Sequence, residues 1–121
     1  MDAPTLVNLD LACARRGKTI AAQPSKELEN LITSALAVLD EQGLYALFLY
    51  LDKGVSGKEK MGKDVETKLH EFLKEILQQP PSNADVFVSL QKMAGDLDEL
   101  LLACDVVRQS LVYARYHARV S

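Results

Sequence analysis

The sequence "ELENLITSALAVLDEQGLYALFLYLDK", residues 27–53, contains two apolar segments separated by a single glycine. In the first segment, apolar residues recur at steps of three and four from Leu28 to Leu39, the spacing of one face of an α-helix. Ser25 is a favoured N-cap residue, and Gly43 adopts at low cost the left-handed conformation that often ends a helix. The pattern therefore predicts a helix bounded by Ser25 and Gly43.

The second segment, "LYALFLYL" at residues 44–51, is apolar on all sides. Its aromatic residues and leucines suit either a buried helix or a buried strand. No other segment of the chain has the pattern of a strand that could pair with it, and an unpaired strand is not stable. We therefore predict a short helix that is central and buried.

Two further helices are predicted on either side of this stretch. An apolar stripe runs from Val65 to Leu77, and Pro80 and Pro81 end that helix. A weaker apolar pattern extends from Thr5 to about Ala22. Between the central stretch and the Val65 stripe, residues 53–63 carry three glycines and four lysines, which predicts a loop.

The last part of the chain keeps an apolar spacing near 3.5 residues. Ser82 or Asn83 is placed to cap it, and the stripe runs through Leu97 to Ala118. It is either one long helix or two helices broken at Gly95-Asp96, where the aspartate could cap a new start. The whole sequence therefore predicts an all-α, single-domain bundle of five to six helices over residues 1–121.

Composition and charge bear on whether the protein binds a polyanion or a membrane. The chain of 121 residues has a formal net charge of −3, so overall charge neither favours nor excludes a polyanionic partner. No apolar run approaches the roughly 20 residues that cross a bilayer, and the N-terminus has no signal-peptide core. We expect a soluble, cytoplasmic protein with no membrane partner.

Metal, cofactor and catalytic chemistry have no support in the sequence. Cys13 and Cys104 lie within apolar helical patterns, which favours two buried free thiols, although a disulfide between them is the alternative. There is no Cys/His cluster and no nucleotide-binding or hydrolase motif, and His70 has the place of a surface histidine. We therefore predict no catalytic residues, no metal and no cofactor.

The basic residues are distributed unevenly in this acidic chain. They form one group at the end of the first helix, a second in the glycine-rich loop and a third in the C-terminal tail, and no acid follows Asp105. The candidates for binding a phosphate backbone are Arg15, Arg16, Lys18, Lys58, Lys60, Lys63, Arg108, Arg115 and Arg119.

The tail arginines have helical spacing. Arg108, Arg115 and Arg119 are seven and four residues apart and so share one face of a helix. Guanidinium groups bind phosphate in a bidentate, oriented way, which makes this face a candidate polyanion site. The alternative is structural, because basic residues near a helix C-terminus are also favoured by the helix dipole.

Three stretches resemble the small helical subunit of CRISPR type III effector complexes. They are the opening stretch "ELENLITSALAVLDEQGLYALFLYLDK", the later "KLHEFLKEIL", and the aromatic and basic ending "QSLVYARYHARV". Gly43 followed by Leu44, Leu47, Phe48 and Leu49 matches the glycine and the apolar helix of that family. The similarity extends from about Glu27 to Leu77 and again from Val107.

The resemblance implies a non-catalytic protein that binds RNA. Such subunits stack head to tail in several copies, beside other effector subunits, and hold the backbone of target RNA paired with guide RNA. The nine basic candidates named above would take that role, and sequence would be read by base pairing with the guide. The alternative is a helical interaction or adaptor module that does not contact nucleic acid.

Overall fold

The computed structural model describes residues 6–77, 86–93 and 95–119. Within these ranges there are helices and connecting turns but no strands, which confirms the predicted all-α, single-domain bundle. The helices are α1 (Leu6–Ile20), α2 (Lys26–Gln42), α3 (Leu44–Leu49), α4 (Glu59–Ile76), α5 (Val86–Met93) and α6 (Leu97–Ala118). A π-helical turn, Tyr50–Gly54, continues α3.

The predicted ends of α2 are confirmed. The Ser25 Oγ accepts a hydrogen bond from the Leu28 N–H at 3.0 Å, as an N-cap residue does. At the other end Gly43 has φ 100°, which favours glycine, and its N–H donates to the Leu39 carbonyl at 3.0 Å. The Gly43 carbonyl accepts from the Leu47 N–H at 3.0 Å, so the same glycine ends α2 and starts α3.

The segment after Gly43 is a helix, as predicted, but it is not buried on all sides. Leu47 and Phe48 are fully buried in the core, whereas Tyr45 and Leu49 on the other side of α3 are exposed. The Tyr45 ring lies against Phe87 of α5, with ring centroids 5.3 Å apart. The prediction of a fully buried helix was wrong because α3 covers the core with one face only.

The predicted loop at 53–63 is shorter in the structure, because α4 already begins at Glu59. Gly62 is buried inside the helix, where a methyl group in place of its hydrogen would lie 2.5 Å from the Leu51 carbonyl oxygen. This glycine therefore permits close packing of α4 on the turn after α3. The sequence pattern did not distinguish that role from a loop glycine.

The apolar stripe of α4 is confirmed, since Val65, Leu69, Phe72 and Leu73 are all buried. The helix ends at Ile76. The predicted stop at Pro80 and Pro81 and the predicted cap at Ser82 or Asn83 lie outside the described residues.

The last part of the chain contains two helices rather than one. Asp96 is the N-cap of α6, and its Oδ1 accepts from the Glu99 N–H at 3.1 Å. Leu97, which was predicted to lie on the apolar stripe, is 68% exposed. The buried face of α6 instead starts at Ala103 and includes Ser110, whose hydroxyl donates to a carbonyl one turn earlier at 2.7 Å.

Helix α6 is the centre of the bundle and packs on both α1 and α2. Gly17 of α1 lies against the backbone of α6 at Ser110 and Ala114. Near this crossing the Cys13 thiol is buried, and burial raises its pKa. Both cysteines are free thiols, and Cys104 is partly buried rather than buried as predicted. No helix among the described residues combines the length and the apolar character that crossing a membrane requires.

Candidate functional site

Two of the three tail arginines, Arg108 in α6 and Arg119 just after it, contact α2. Arg108 donates from Nε and Nη2 to Asp40 Oδ1 at 2.9 and 2.7 Å, and Arg119 donates from Nε to Glu29 Oε2 at 3.2 Å. The two pairs follow in opposite order along the two helices, so they match an antiparallel arrangement of α2 and α6. Two of the three predicted phosphate-binding arginines therefore already have carboxylate partners within the chain, and the basic tail complements the acidic face of α2.

Arg115 lies on α6 between these two paired arginines. Its Nε is buried and has no hydrogen-bond partner in the described part of the chain. A buried donor without a partner loses its hydration and gains no hydrogen bond in return. No ion pair among the described residues involves Arg115 either, so within this part of the chain it contributes to folding through the packing of its stem.

The mutation Arg115→Met should leave stability unchanged or raise it by up to about 1 kcal/mol, because methionine keeps an apolar stem and removes the unpaired donor. Urea unfolding followed by circular dichroism would measure the change. As a control, Arg115→Ala also removes the stem and should be less stable than Arg115→Met. A loss above about 1 kcal/mol in the methionine variant would show that the guanidinium has a stabilising partner.

Glu29 joins two basic residues at the start of α2. Its Oε1 lies 3.3 Å from Lys26 Nζ, and its Oε2 accepts from Arg119. Burial acts to raise the pKa of the Glu29 carboxyl, but the hydrogen bonds and charges of Lys26 and Arg119 outweigh it, so the pKa lies below its ordinary value. This ionised carboxylate favours the folded chain.

A lowered carboxyl pKa makes a contribution to stability that is present above the ordinary pKa of 4.5 and is lost as pH falls through the lower folded value. We therefore expect acid to destabilise the Glu29→Gln variant less than the wild type when urea unfolding is compared at neutral and acidic pH. Glu27→Gln is a matched control, since Glu27 lies in the same helical turn and forms no ion pair with any other described residue. Identical pH profiles for Glu29→Gln and wild type would contradict this assignment.

Arg16 was also predicted to bind RNA, but the structure places it between helices. Its Nη2 donates to Glu75 Oε2 at 2.9 Å, and its guanidinium lies over the Phe72 ring, 5.1 Å from the centroid. The ion pair and the cation–π contact both join α1 to α4. Arg16 is therefore better explained by helix packing than by binding.

The remaining basic candidates come together at one end of the bundle. Arg15 and Lys18 of α1 line a groove of about 660 Å³ together with His117 of α6. Lys58, Lys60 and Lys63 line a second groove of about 880 Å³. Both grooves include Ala22 in their walls, so they adjoin. We call the two together the basic groove, with Arg15, Lys18, Lys58, Lys60 and Lys63 as its cations.

Lys68 connects the helices that form the basic groove. Its Nζ donates to the Thr19 carbonyl at 3.1 Å, and this hydrogen bond joins the last turn of α1 to α4. The same Nζ lies 2.9 Å from Asp64 Oδ2, one turn earlier on α4. Sequence reasoning missed this residue, because its position in the groove depends on how α1 and α4 pack. The interaction fixes the separation between the two groups of cations.

Most cations of the basic groove have no ion pair among the described residues, and the one acid in its lining, Asp64, is paired with Lys68. Lys63 lies 4.0 Å from Asp52, the limit of an ion pair. Among the described residues no ion pair involves Arg15, Lys18, Lys58 or Lys60. Unlike Arg108 and Arg119, these four cations are available to an external anion.

The floor of the larger groove is apolar. Ile20, Leu28 and the partly exposed Met61 line it, and the lysines stand at its rim. This arrangement can bind an anion that also carries an apolar or flat group. In the described part of the chain, no three His, Cys, Asp or Glu side chains are grouped in a way that could hold a metal ion.

Comparison with known proteins identified no relative of this chain. The sequence matches no known protein family, and neither the curated proteins nor the solved structures include a significant match to the chain.

Proposed function

We propose that this chain is a non-catalytic subunit that binds the phosphate backbone of RNA in the basic groove. The observation that carries the proposal is the meeting of Arg15 and Lys18 of α1 with the lysines before and within α4, at one end of the bundle. Four of these five cations have no carboxylate partner within the described residues, so phosphate can bind without breaking an internal ion pair.

The chemistry of the groove suits a backbone rather than a base sequence. Four of its five cations are lysines, and a lysine ammonium is a point charge on a flexible stem. Contacts of this kind position a nucleic acid but do not identify its bases. Sequence would then come from pairing between guide and target RNA, as the resemblance to CRISPR type III small subunits implies.

The proposed setting, a CRISPR type III effector complex, rests on the sequence resemblance. In that setting the partners are guide and target RNA, other effector subunits and further copies of this chain stacked head to tail. Such stacking needs two complementary surfaces on one chain. Helix α6, about 33 Å long for its 22 residues, separates the exposed Leu97 and its neighbouring acids from the basic end at His117.

The proposed function is tested by the salt dependence of RNA binding. Fluorescence anisotropy with a labelled single-stranded 12-mer RNA should show binding that weakens as salt is raised, with log Kd rising with log salt at a slope of about 3. Each phosphate that a cation neutralises on a single strand contributes about 0.7 to this slope, so the four unpaired cations together account for it. The expected result is micromolar binding at 0.1 M salt that weakens about eightfold when the salt concentration is doubled. Absence of binding even at low salt would overturn the proposal.

A protein–protein interaction module is the second candidate function, and one observation favours it. Leu97 and Leu101 lie one turn apart on α6 and are 68% and 54% exposed. Large exposed leucines at neighbouring positions are typical of a surface that another protein covers. This surface fits either a further copy of the chain or a different partner.

The double variant Leu97→Gln/Leu101→Gln should reduce self-association without lowering the melting temperature, because both side chains are largely exposed. Sedimentation velocity over a range of protein concentrations would measure the association. The matched control is Leu11→Gln, which replaces an exposed leucine on a different helix, α1. Unchanged association of the double variant would remove this surface from the proposed stacking contact.

A further inference from the structure

The larger part of the basic groove is a concave site with two kinds of lining. Lys58, Lys60 and Lys63 stand at its rim, while Ile20 and Met61 contribute to an apolar floor. Its volume of about 880 Å³ is within the range of roughly 300–1,000 Å³ that is typical of pockets for small molecules. A flat patch of lysines would suffice for a phosphate backbone, so the concave apolar floor requires a separate explanation.

We infer that this groove takes an unpaired nucleotide of single-stranded RNA, with its phosphate at the lysine rim and its base on the apolar floor. The inference rests on the proposed function, and it adds that this groove binds a stretch of the RNA that is not paired between guide and target. In a duplex the bases are stacked and paired, so their faces cannot enter a side pocket. An unpaired base can leave the stack and place its face against apolar side chains.

Met61 is the residue that should distinguish bases from phosphates. It is partly exposed, lies between Lys60 and Gly62 in the first turn of α4, and packs on the apolar core. Its polarizable thioether can contact the flat face of a base, and it carries no charge that a phosphate could use. Lys58 and Lys60, by contrast, should contribute equally to any polyanion of the same charge density.

The test compares four probes on the full-length chain at one low salt concentration: a single-stranded 12-mer of oligouridylate, a 12-base-pair RNA duplex, linear polyphosphate of matched charge, and free uridine monophosphate. Direct anisotropy serves for the labelled RNAs, and competition serves for the other two. The variants are Met61→Gln and Lys58→Gln/Lys60→Gln, with circular dichroism to verify that each is folded.

We expect the single strand to bind about tenfold more tightly than the duplex or polyphosphate, within the range that base stacking on a protein surface contributes. Met61→Gln should weaken binding of the single strand about fivefold and leave duplex and polyphosphate binding unchanged. The lysine variant should weaken binding of all three polyanions.

Three results would overturn the inference, and they are distinguishable from failure of the proposed function. Equal affinity for the single strand and the duplex, or equal sensitivity of all probes to Met61→Gln, would leave a backbone-binding groove without a base site. If free uridine monophosphate displaces the single strand at a concentration equal to that of the nucleotides in the strand, the ligand of the groove is a free nucleotide and not an RNA strand. Absence of binding to every polyanion would instead reject the proposed function itself.

Discussion

Replacing Gly17 by alanine should lower the free energy of unfolding by about 2 kcal/mol, because an overpacking cost of about 3 kcal/mol exceeds the gain in helix propensity. A methyl group at Gly17 would lie 2.6 Å from Tyr113 Cβ, and 2.8 Å from both the Ala114 backbone nitrogen and the Ser110 carbonyl oxygen. Two of these atoms belong to the backbone of α6, which no change of rotamer can move. Helix α1 must therefore shift away from α6, and the core between them opens.

Helix propensity acts in the opposite direction, but it is smaller. Alanine is favoured over glycine inside a helix by about 1 kcal/mol, which offsets only part of the steric cost. Urea unfolding followed by circular dichroism would measure the net change. A loss below about 1 kcal/mol would show that α1 and α6 are not in close contact at this position.

Gly54→Ala is the matched control for Gly17→Ala. A methyl group there would meet only the edge of the Tyr50 ring, at 3.1 Å, and that side chain is partly exposed and can yield. The same chemical change should therefore alter stability by no more than about 0.5 kcal/mol, as for most surface substitutions. The comparison separates close packing of helices from a general effect of replacing glycine.

The fold could be predicted from the sequence wherever periodicity and capping agree. Ser25 and Gly43 could be recognised as the ends of α2 because both features are local. A helix start needs a side-chain oxygen that caps it, and this helix end needs a residue that tolerates a positive φ. Gly62 was misread because a glycine at a helix crossing and a glycine in a loop look the same without the partner helix. Leu97 was misassigned because periodicity shows that a face exists but not how far the neighbouring helices cover it.

The sequence showed which basic residues were candidates for the site, but not which of them form ion pairs with acids elsewhere in the chain. The spacing of Arg108 and Arg119 predicted one face of a helix, but Arg119 lies just beyond the end of α6, and the acids that pair with the two arginines, Asp40 and Glu29, are far away in the sequence. Conversely, Lys18 and Lys58 are separated by a whole helix pair, and only packing brings their grooves together. Charge spacing within one helix therefore predicts a surface, and tertiary structure decides whether that surface is free.

The double variant Lys58→Gln/Lys60→Gln should weaken binding of single-stranded RNA by about 20-fold at 0.1 M salt and lower the salt slope by about 1.4, the contribution of two phosphate contacts. The reason is that both lysines lie in the basic groove and that neither forms an ion pair among the described residues. The melting temperature should stay within the error of the wild type, since neither side chain is part of the buried core.

Arg108→Gln/Arg119→Gln is the matched control, because it removes the same amount of positive charge from the tail. If RNA responded only to the overall charge, the two double variants would lose affinity equally. We expect less than a twofold loss for the tail variant, together with a small loss of stability, since each exposed ion pair is worth at most about 1 kcal/mol. The reverse result would show that phosphate displaces Asp40 and Glu29 from the tail arginines, and it would move the RNA site from the end of the bundle to the seam between α2 and α6.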